Sequence, residues 1–212
     1  RALQSATGCT LGAHIAIEKR LPAQAGLGGG SSDAASTLLA LNRLWALGLS
    51  RADLHRLALP LGADVPFFIG GLDTSVRGEG GYLSCPLIPP LPFIIVKPEA
   101  GLETAAIFSH PALHRETQAA TIAGFVGEQA RKPFGFGRND LQPVAQLLCP
   151  DIAKAAQWLA DKGLAGRMTG SGSAVFAPMT HTIDVADAPA NWSIKVCKNL
   201  GLHPLVGWAR DE

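Results

Sequence analysis

The spacing of apolar positions changes several times along the chain, and each change predicts an element. Ala13, Ile15 and Ile17 alternate with His14, Ala16 and Glu18, a period of two that predicts a strand. A glycine-rich loop follows at Ala25-Gly26-Leu27-Gly28-Gly29-Gly30-Ser31-Ser32-Asp33. Directly after it, Ala35, Leu38, Leu39, Asn42 and Trp45 recur at helical spacing, with Gly48 as a stop. Ser50 and Asp53 form an acidic variant of the capping box ahead of Leu54, Leu57 and Ala58, and Pro60 and Gly62 end that second helix. Residues 62–71 read as a turn feeding a short apolar strand, and residues 75–81 as a loop or hairpin. Further on, the pattern predicts a buried strand at 93–96 and helical pieces over 103–131, interrupted by Pro111 and Gly124. An amphipathic helix is expected at 151–162, stopped by Gly163. Strand, glycine turn and strand are expected over 168–177, and another strand at 192–196. The Pro-rich run Cys85-Pro86-Leu87-Ile88-Pro89-Pro90-Leu91-Pro92 divides a domain at 1–84 from one at 85–212. Helices and strands alternate without a regular βαβ beat, which favours α+β over a doubly wound sheet.

Composition narrows the function classes. Hydrophobic residues make up 47% of the 212 positions and the net charge is +1, which excludes a disordered chain. The same near-neutral balance gives no basic footprint for nucleic acid. No apolar run approaches the roughly 18 residues of a membrane span. Cys9, Cys85, Cys149 and Cys197 are scattered, without C-x-x-C or histidines at ligand spacing. Neither a disulfide framework nor a zinc site is expected, and a reducing cytosol fits best. Histidines 14, 55, 110, 114, 181 and 203 have no paired spacing and read as structural or surface residues.

The chemistry concentrates at the glycine loop. Glycines at 26, 28, 29 and 30 let backbone N–H groups turn inward, and the helix behind them adds about half a positive charge at its N-terminus. With the Ser31 and Ser32 hydroxyls this makes a cradle for an anion, phosphate above all. The same residues also fit a plain flexible loop ahead of a capped helix. The pattern is neither Walker A, lacking the Lys-Ser/Thr, nor the dinucleotide fingerprint. Asp64, in Gly62-Ala63-Asp64-Val65-Pro66, is a candidate base or else a turn aspartate bonded to its own backbone. Arg138-Asn139-Asp140 reads as the cap of a helix beginning near Asp140.

Four segments taken in order resemble the GHMP small-molecule kinases. They are Lys19-Arg20-Leu21-Pro22 running into Gly26-Leu27-Gly28-Gly29-Gly30-Ser31-Ser32-Asp33-Ala34-Ala35, then Leu61-Gly62-Ala63-Asp64-Val65-Pro66-Phe67-Phe68, then Gly137-Arg138-Asn139-Asp140-Leu141, then Arg167-Met168-Thr169-Gly170-Ser171-Gly172. The resemblance covers nearly the whole chain and is greatest to the branch whose alcohol acceptor is a diphosphocytidyl-methylerythritol. It implies two α+β domains, an N-terminal ATP-binding domain like ribosomal protein S5 domain 2 and a C-terminal ferredoxin-like sandwich, with the active site in the cleft between them. It implies transfer of the ATP γ-phosphoryl group to a hydroxyl, with Asp64 as the base. It assigns Pro22, Ala23, Gln24, Ala25, Gly26, Leu27, Gly28, Gly29, Gly30, Ser31 and Ser32 to ATP. It assigns Thr169, Gly170, Ser171 and Gly172 to the phosphates and the accepting end of the substrate. Mg²⁺ is expected with the nucleotide, helped by Ser31 or Ser32, without a protein cluster of metal ligands. The implied partner is a small molecule, not nucleic acid or membrane.

Two departures matter. The family's Pro-x-Lys-x-Asn strand, whose lysine partners the aspartate, and the Tyr-His segment after it have no counterpart here. The expectation is a kinase lacking its first segment, with a sheet edge and part of the core exposed. A non-catalytic nucleotide-binding module, or another GHMP kinase acting on homoserine or mevalonate, is the alternative. Gln24 stands where many relatives carry glycine, which narrows the backbone options of the loop.

Overall fold

The computed structural model describes residues 1–72, 74–77, 81–84, 90–118, 121, 124, 125, 127 and 134–211. The chain forms two compact units. One comprises residues 1–21, 28–89 and 200–212, the other residues 22–27 and 90–199. The division near Pro89 falls in the Pro-rich run, of which residues 85–89 lie outside the described set.

The first unit is mainly helical. After α1 (Ala2–Thr7), the long helix α2 (Gly29–Leu44) buries Ala35, Leu38, Leu39 and Asn42, the face expected from the spacing. Asn42 is tolerated there because both ends of its amide are used. Its Nδ2 donates to the Leu49 carbonyl and its Oδ1 accepts from the Leu49 N–H, each at 3.0 Å. Helix α3 (Arg51–Ala58) starts with the expected capping box, Ser50 and Asp53 each bonding the other's backbone N–H. A 3₁₀ turn at Leu59–Leu61 ends at Gly62.

Two expectations fail in this unit. The apolar run at 65–70 is not a strand but helix α4 (Val65–Gly70). An unbroken apolar run does not distinguish the two. Pro66, at a first-turn position where no N–H is needed, and burial of Val65 and Ile69 one turn apart decide for helix. The second failure is the period-two segment. Residues 8–20 take no regular structure, and Ile15 and Ile17 are 53% and 67% exposed. Alternation sets which way side chains point, but a strand also needs a neighbour for its backbone groups. Among the described residues none pairs with this segment. Downstream, β1 (Thr74–Arg77) and β2 (Gly81–Ser84) form the antiparallel hairpin that 75–81 allowed.

The second unit is an antiparallel sheet backed by helices. Strand β3 (Pro92–Lys97) lies between β5 (Val175–Pro178) and β6 (Ser193–Lys198), and β4 (Arg167–Met168) pairs with β5. The order β4-β5-β3-β6 puts the unit's first and third strands inside, as a ferredoxin-like sandwich requires. Ile94, Val96, Val175 and Ala177 form the core with Val144 and Ala145 of α6 (Gln142–Leu148) and Ile152, Ala155 and Leu159 of α7 (Pro150–Asp161). Of the helical pieces over 103–131, α5 (Thr104–Phe108) stops short of Pro111, and Gly124, Phe125 and Gly127 are helical as well, so Gly124 lies in a helix rather than interrupting one. Part of the rest lies outside the described residues. Residues 179–192 run as turns and irregular chain, tied down by Lys162 Nζ on Asp187 at 2.7 Å.

Candidate active site

The glycine loop divides between the units, and each half has its own setting. In the second unit, residues 24–26 are built into the Thr169–Gly172 turn. The turn closes with Gly172 N–H on the Thr169 carbonyl at 2.9 Å. Thr169 Oγ1 donates to the Gly26 carbonyl at 3.0 Å. The N–H groups of Ser173 and Ala174 donate to the carbonyls of Gln24 and Ala25 at 3.1 and 3.2 Å. Gly26, at φ +67°, has no room for a side chain, since a Cβ would lie 2.2 Å from the Thr169 carbonyl oxygen. Two stretches singled out separately in the sequence, almost 150 residues apart, thus form one backbone-to-backbone assembly. Pro22 and Ala23 are exposed ahead of it, and Gln24 is exposed within it.

Residues that were not singled out for the site hold this assembly in place. Asn139 donates through Nδ2 to the carbonyls of Met168 at 3.0 Å and Gly170 at 2.7 Å. Its Oδ1 accepts from Leu141 N–H at 3.0 Å, so it also guides the chain into α6, which starts at Gln142, two residues beyond the expected Asp140. Thr104 Oγ1 and Ser171 Oγ share a hydrogen bond of 2.7 Å. Ser173, fully buried, donates to the Ala100 carbonyl at 2.6 Å. That carbonyl also accepts from Lys97 Nζ at 3.0 Å, and the same ammonium donates to the Pro98 carbonyl. Burial pushes the Lys97 ammonium pKa down. A lysine closing an otherwise apolar strand was the readable signal for this site. Asn139 stood out only as a helix cap and as part of the third resembling segment, neither of which points to the turn it holds.

In the first unit, Leu27's successor Gly28 caps α2 at φ +67°, with no side chain to bond the first turn. The first bond within the helix is Ser32 N–H to the Gly28 carbonyl at 2.9 Å. The N–H groups of Gly29, Gly30 and Ser31 therefore have no acceptor inside the helix. Such groups, with the helix dipole behind them, suit an anion. Asp64 is exposed at the head of α4, and its side chain makes no capping bond. Its carboxylate is thus not consumed by the backbone, as a plain turn aspartate's would be.

The fold and these two settings define a class. The chain matches the GHMP kinases N terminal domain over residues 1–72 and the GHMP kinases C terminal domain over 119–198. It belongs to the GHMP kinase family, whose members pass a phosphoryl group from ATP to a small molecule. Within that family it is similar to 4-diphosphocytidyl-2-C-methyl-D-erythritol kinases. The one from Acidovorax sp. (strain JS42) is 62% identical over 213 residues, covering 98% of this chain and 74% of the relative. That from Delftia acidovorans is 58% identical over 217 residues, covering 100% and 74%. A crystal structure of 4-(cytidine 5'-diphospho)-2C-methyl-D-erythritol kinase superposes with a TM-score of 0.70 at 35% identity, over 84% of this chain and 66% of that one. Homoserine kinase from Cytophaga hutchinsonii shares the fold, with a TM-score of 0.65 at 20% identity over 87% and 69%. Among the described residues no helix is long and apolar enough to cross a membrane, and no three His, Cys, Asp or Glu side chains cluster as metal ligands.

Proposed function

We propose that this chain is the ATP-dependent kinase that phosphorylates the 2-hydroxyl of 4-diphosphocytidyl-2-C-methyl-D-erythritol, a step of non-mevalonate isoprenoid precursor synthesis. The observation that carries the reading is the joining of Gly26 to the Thr169–Gly172 turn, in a chain 62% identical to such a kinase. Residues 22–32 receive the ATP phosphates, the unpaired first-turn N–H groups of α2 serving as donors. Thr169, Gly170, Ser171 and Gly172 cover the phosphates and the accepting end of the alcohol. Asp64 takes the proton of the attacking hydroxyl as its oxygen bonds to the γ-phosphorus and the bond to the β-phosphate oxygen breaks, releasing ADP. Mg²⁺ bound with the nucleotide would neutralise phosphate charge there. A hydroxyl from Ser31 or Ser32 would help hold that ion beside the phosphate oxygens. We assign the ATP-binding part to residues 1–84 and the second part to 85–212, and place the reaction in the cytosol, where scattered cysteines stay reduced.

The test is transfer from ATP to the diphosphocytidyl alcohol, with homoserine and mevalonate as comparison acceptors. It is run on this chain as it stands and joined to a strand bearing the family's Pro-x-Lys-x-Asn. Turnover confined to the diphosphocytidyl alcohol is expected. In the active form Asp64→Asn should lower kcat by about 10²–10⁴-fold and leave the KM for ATP nearly unchanged. ATP binding without turnover in both forms would instead establish a nucleotide-binding module.

A further inference from the structure

Gly28 is not open on every side. A Cβ there would lie 3.0 Å from Cζ of Phe68, so the ring edge of Phe68 rests against the residue that caps α2. Phe68 stands on α4 four residues after Asp64, which heads that helix with helical backbone angles. Residues four apart lie on one helix face, about 6 Å apart along the axis. The same face of one short helix therefore carries the proposed base at one end and the contact to the phosphate loop at the other. Phe68 is itself supported from behind. The His203 ring meets it edge-on at 6.4 Å, and His203 N–H donates to the Gly71 carbonyl at 2.9 Å. All of these residues belong to the first unit.

We infer that Phe68 is a positioning residue that sets the spacing between Asp64 and the phosphate loop at Gly28, with His203 as its backstop. The inference rests on the reading of Asp64 as the base and of the loop as the ATP site. Phe68 itself touches no reacting atom. Its aromatic edge is the spacer, so a shorter aliphatic side chain lets α4 and the head of α2 move independently. Displacements of about 1 Å in such geometry are enough to matter for catalysis.

The experiment does not depend on turnover. The protein is labelled with ¹³C at the aspartate carboxyl carbons, and the Asp64 resonance, assigned by its loss in Asp64→Asn, is followed as ATP is added. In the unsubstituted protein the resonance should move on saturation. In Phe68→Leu the movement should shrink by more than half, while the ATP dissociation constant stays within about threefold, a split that general loosening of the fold would not produce. His203→Ala, which leaves the Phe68 ring in place, should reduce the movement less and in the same direction, and decides the matter if Phe68→Leu fails to fold. Equal movement in the unsubstituted protein and the folded variants would overturn the positioning role and leave the base in place. No movement in the unsubstituted protein would overturn both.

Discussion

At the scale of single residues, the glycine loop separates two kinds of position. Gln24 adopts φ +51° and Gly26 φ +67°, both in the left-handed region that costs a residue with a Cβ about 1–2 kcal/mol. Gln24 is exposed, so Gln24→Gly removes that cost with little lost packing. The expected result is a stability gain of up to about 1 kcal/mol in urea unfolding. Gly26 faces the Thr169 carbonyl directly, and Gly26→Ala should cost about 2 kcal/mol or more, because the atom in the way is backbone. His55 gives the pH dependence. Burial first, then the positive charge of Arg51, pushes its imidazole pKa down. A histidine lowered in the fold binds fewer protons than the unfolded chain does, in the window between its folded value and the ordinary value of about 6.5. Stability should therefore rise with pH through that window and be penalised in full below it. His55→Gln should flatten the rise, read as urea midpoints from pH 5 to pH 8.

At the scale of elements, periodicity worked where the element satisfies its own backbone. Helix α2 was legible from Ala35, Leu38, Leu39 and Asn42, and α3 from Ser50 and Asp53, because a helix closes its hydrogen bonds locally and advertises its ends by caps. Ser50→Ala should cost about 1 kcal/mol of stability, measured by the same unfolding assay. The turn-flanked strands β4 and β5 were legible too, since Gly170 and Gly172 mark the reversal between them. Failures came where a neighbour decides. Residues 13–18 have strand alternation and no pairing strand among the described residues, so they stay irregular. The run Val65–Gly70 packs as a helix on the face of Leu39 and Leu54, which no count of apolar residues along the chain discloses.

At the scale of the whole molecule, chain order and compact units do not coincide. Residues 22–27 join the second unit, and the last residues, from Leu200, return to the first. Arg51 holds that return. Its guanidinium donates to the carbonyls of Ile69 at 2.7 Å, Ala209 at 3.1 Å and Val206, and pairs with Asp211 at 2.8 Å. The side chain of Arg51 is 15% exposed and that of Asp211 88%, so the carbonyl bonds carry the energy and the ion pair is screened. Arg51→Met should cost about 2–3 kcal/mol and open residues 203–211 to carboxypeptidase, whereas Asp211→Asn should change stability by less than about 0.5 kcal/mol. The sequence by itself determined the α+β class, the glycine loop, the aspartate candidate and the family, because glycines, caps and motif order are local and need no partner to be read. Only the tertiary structure decided that Gly26 meets Thr169, that Asn139 and Lys97 support that meeting, and that Phe68 reaches Gly28. Each of these contacts joins positions distant in the chain, and contact across such distances is set by how elements pack rather than by any spacing along the sequence.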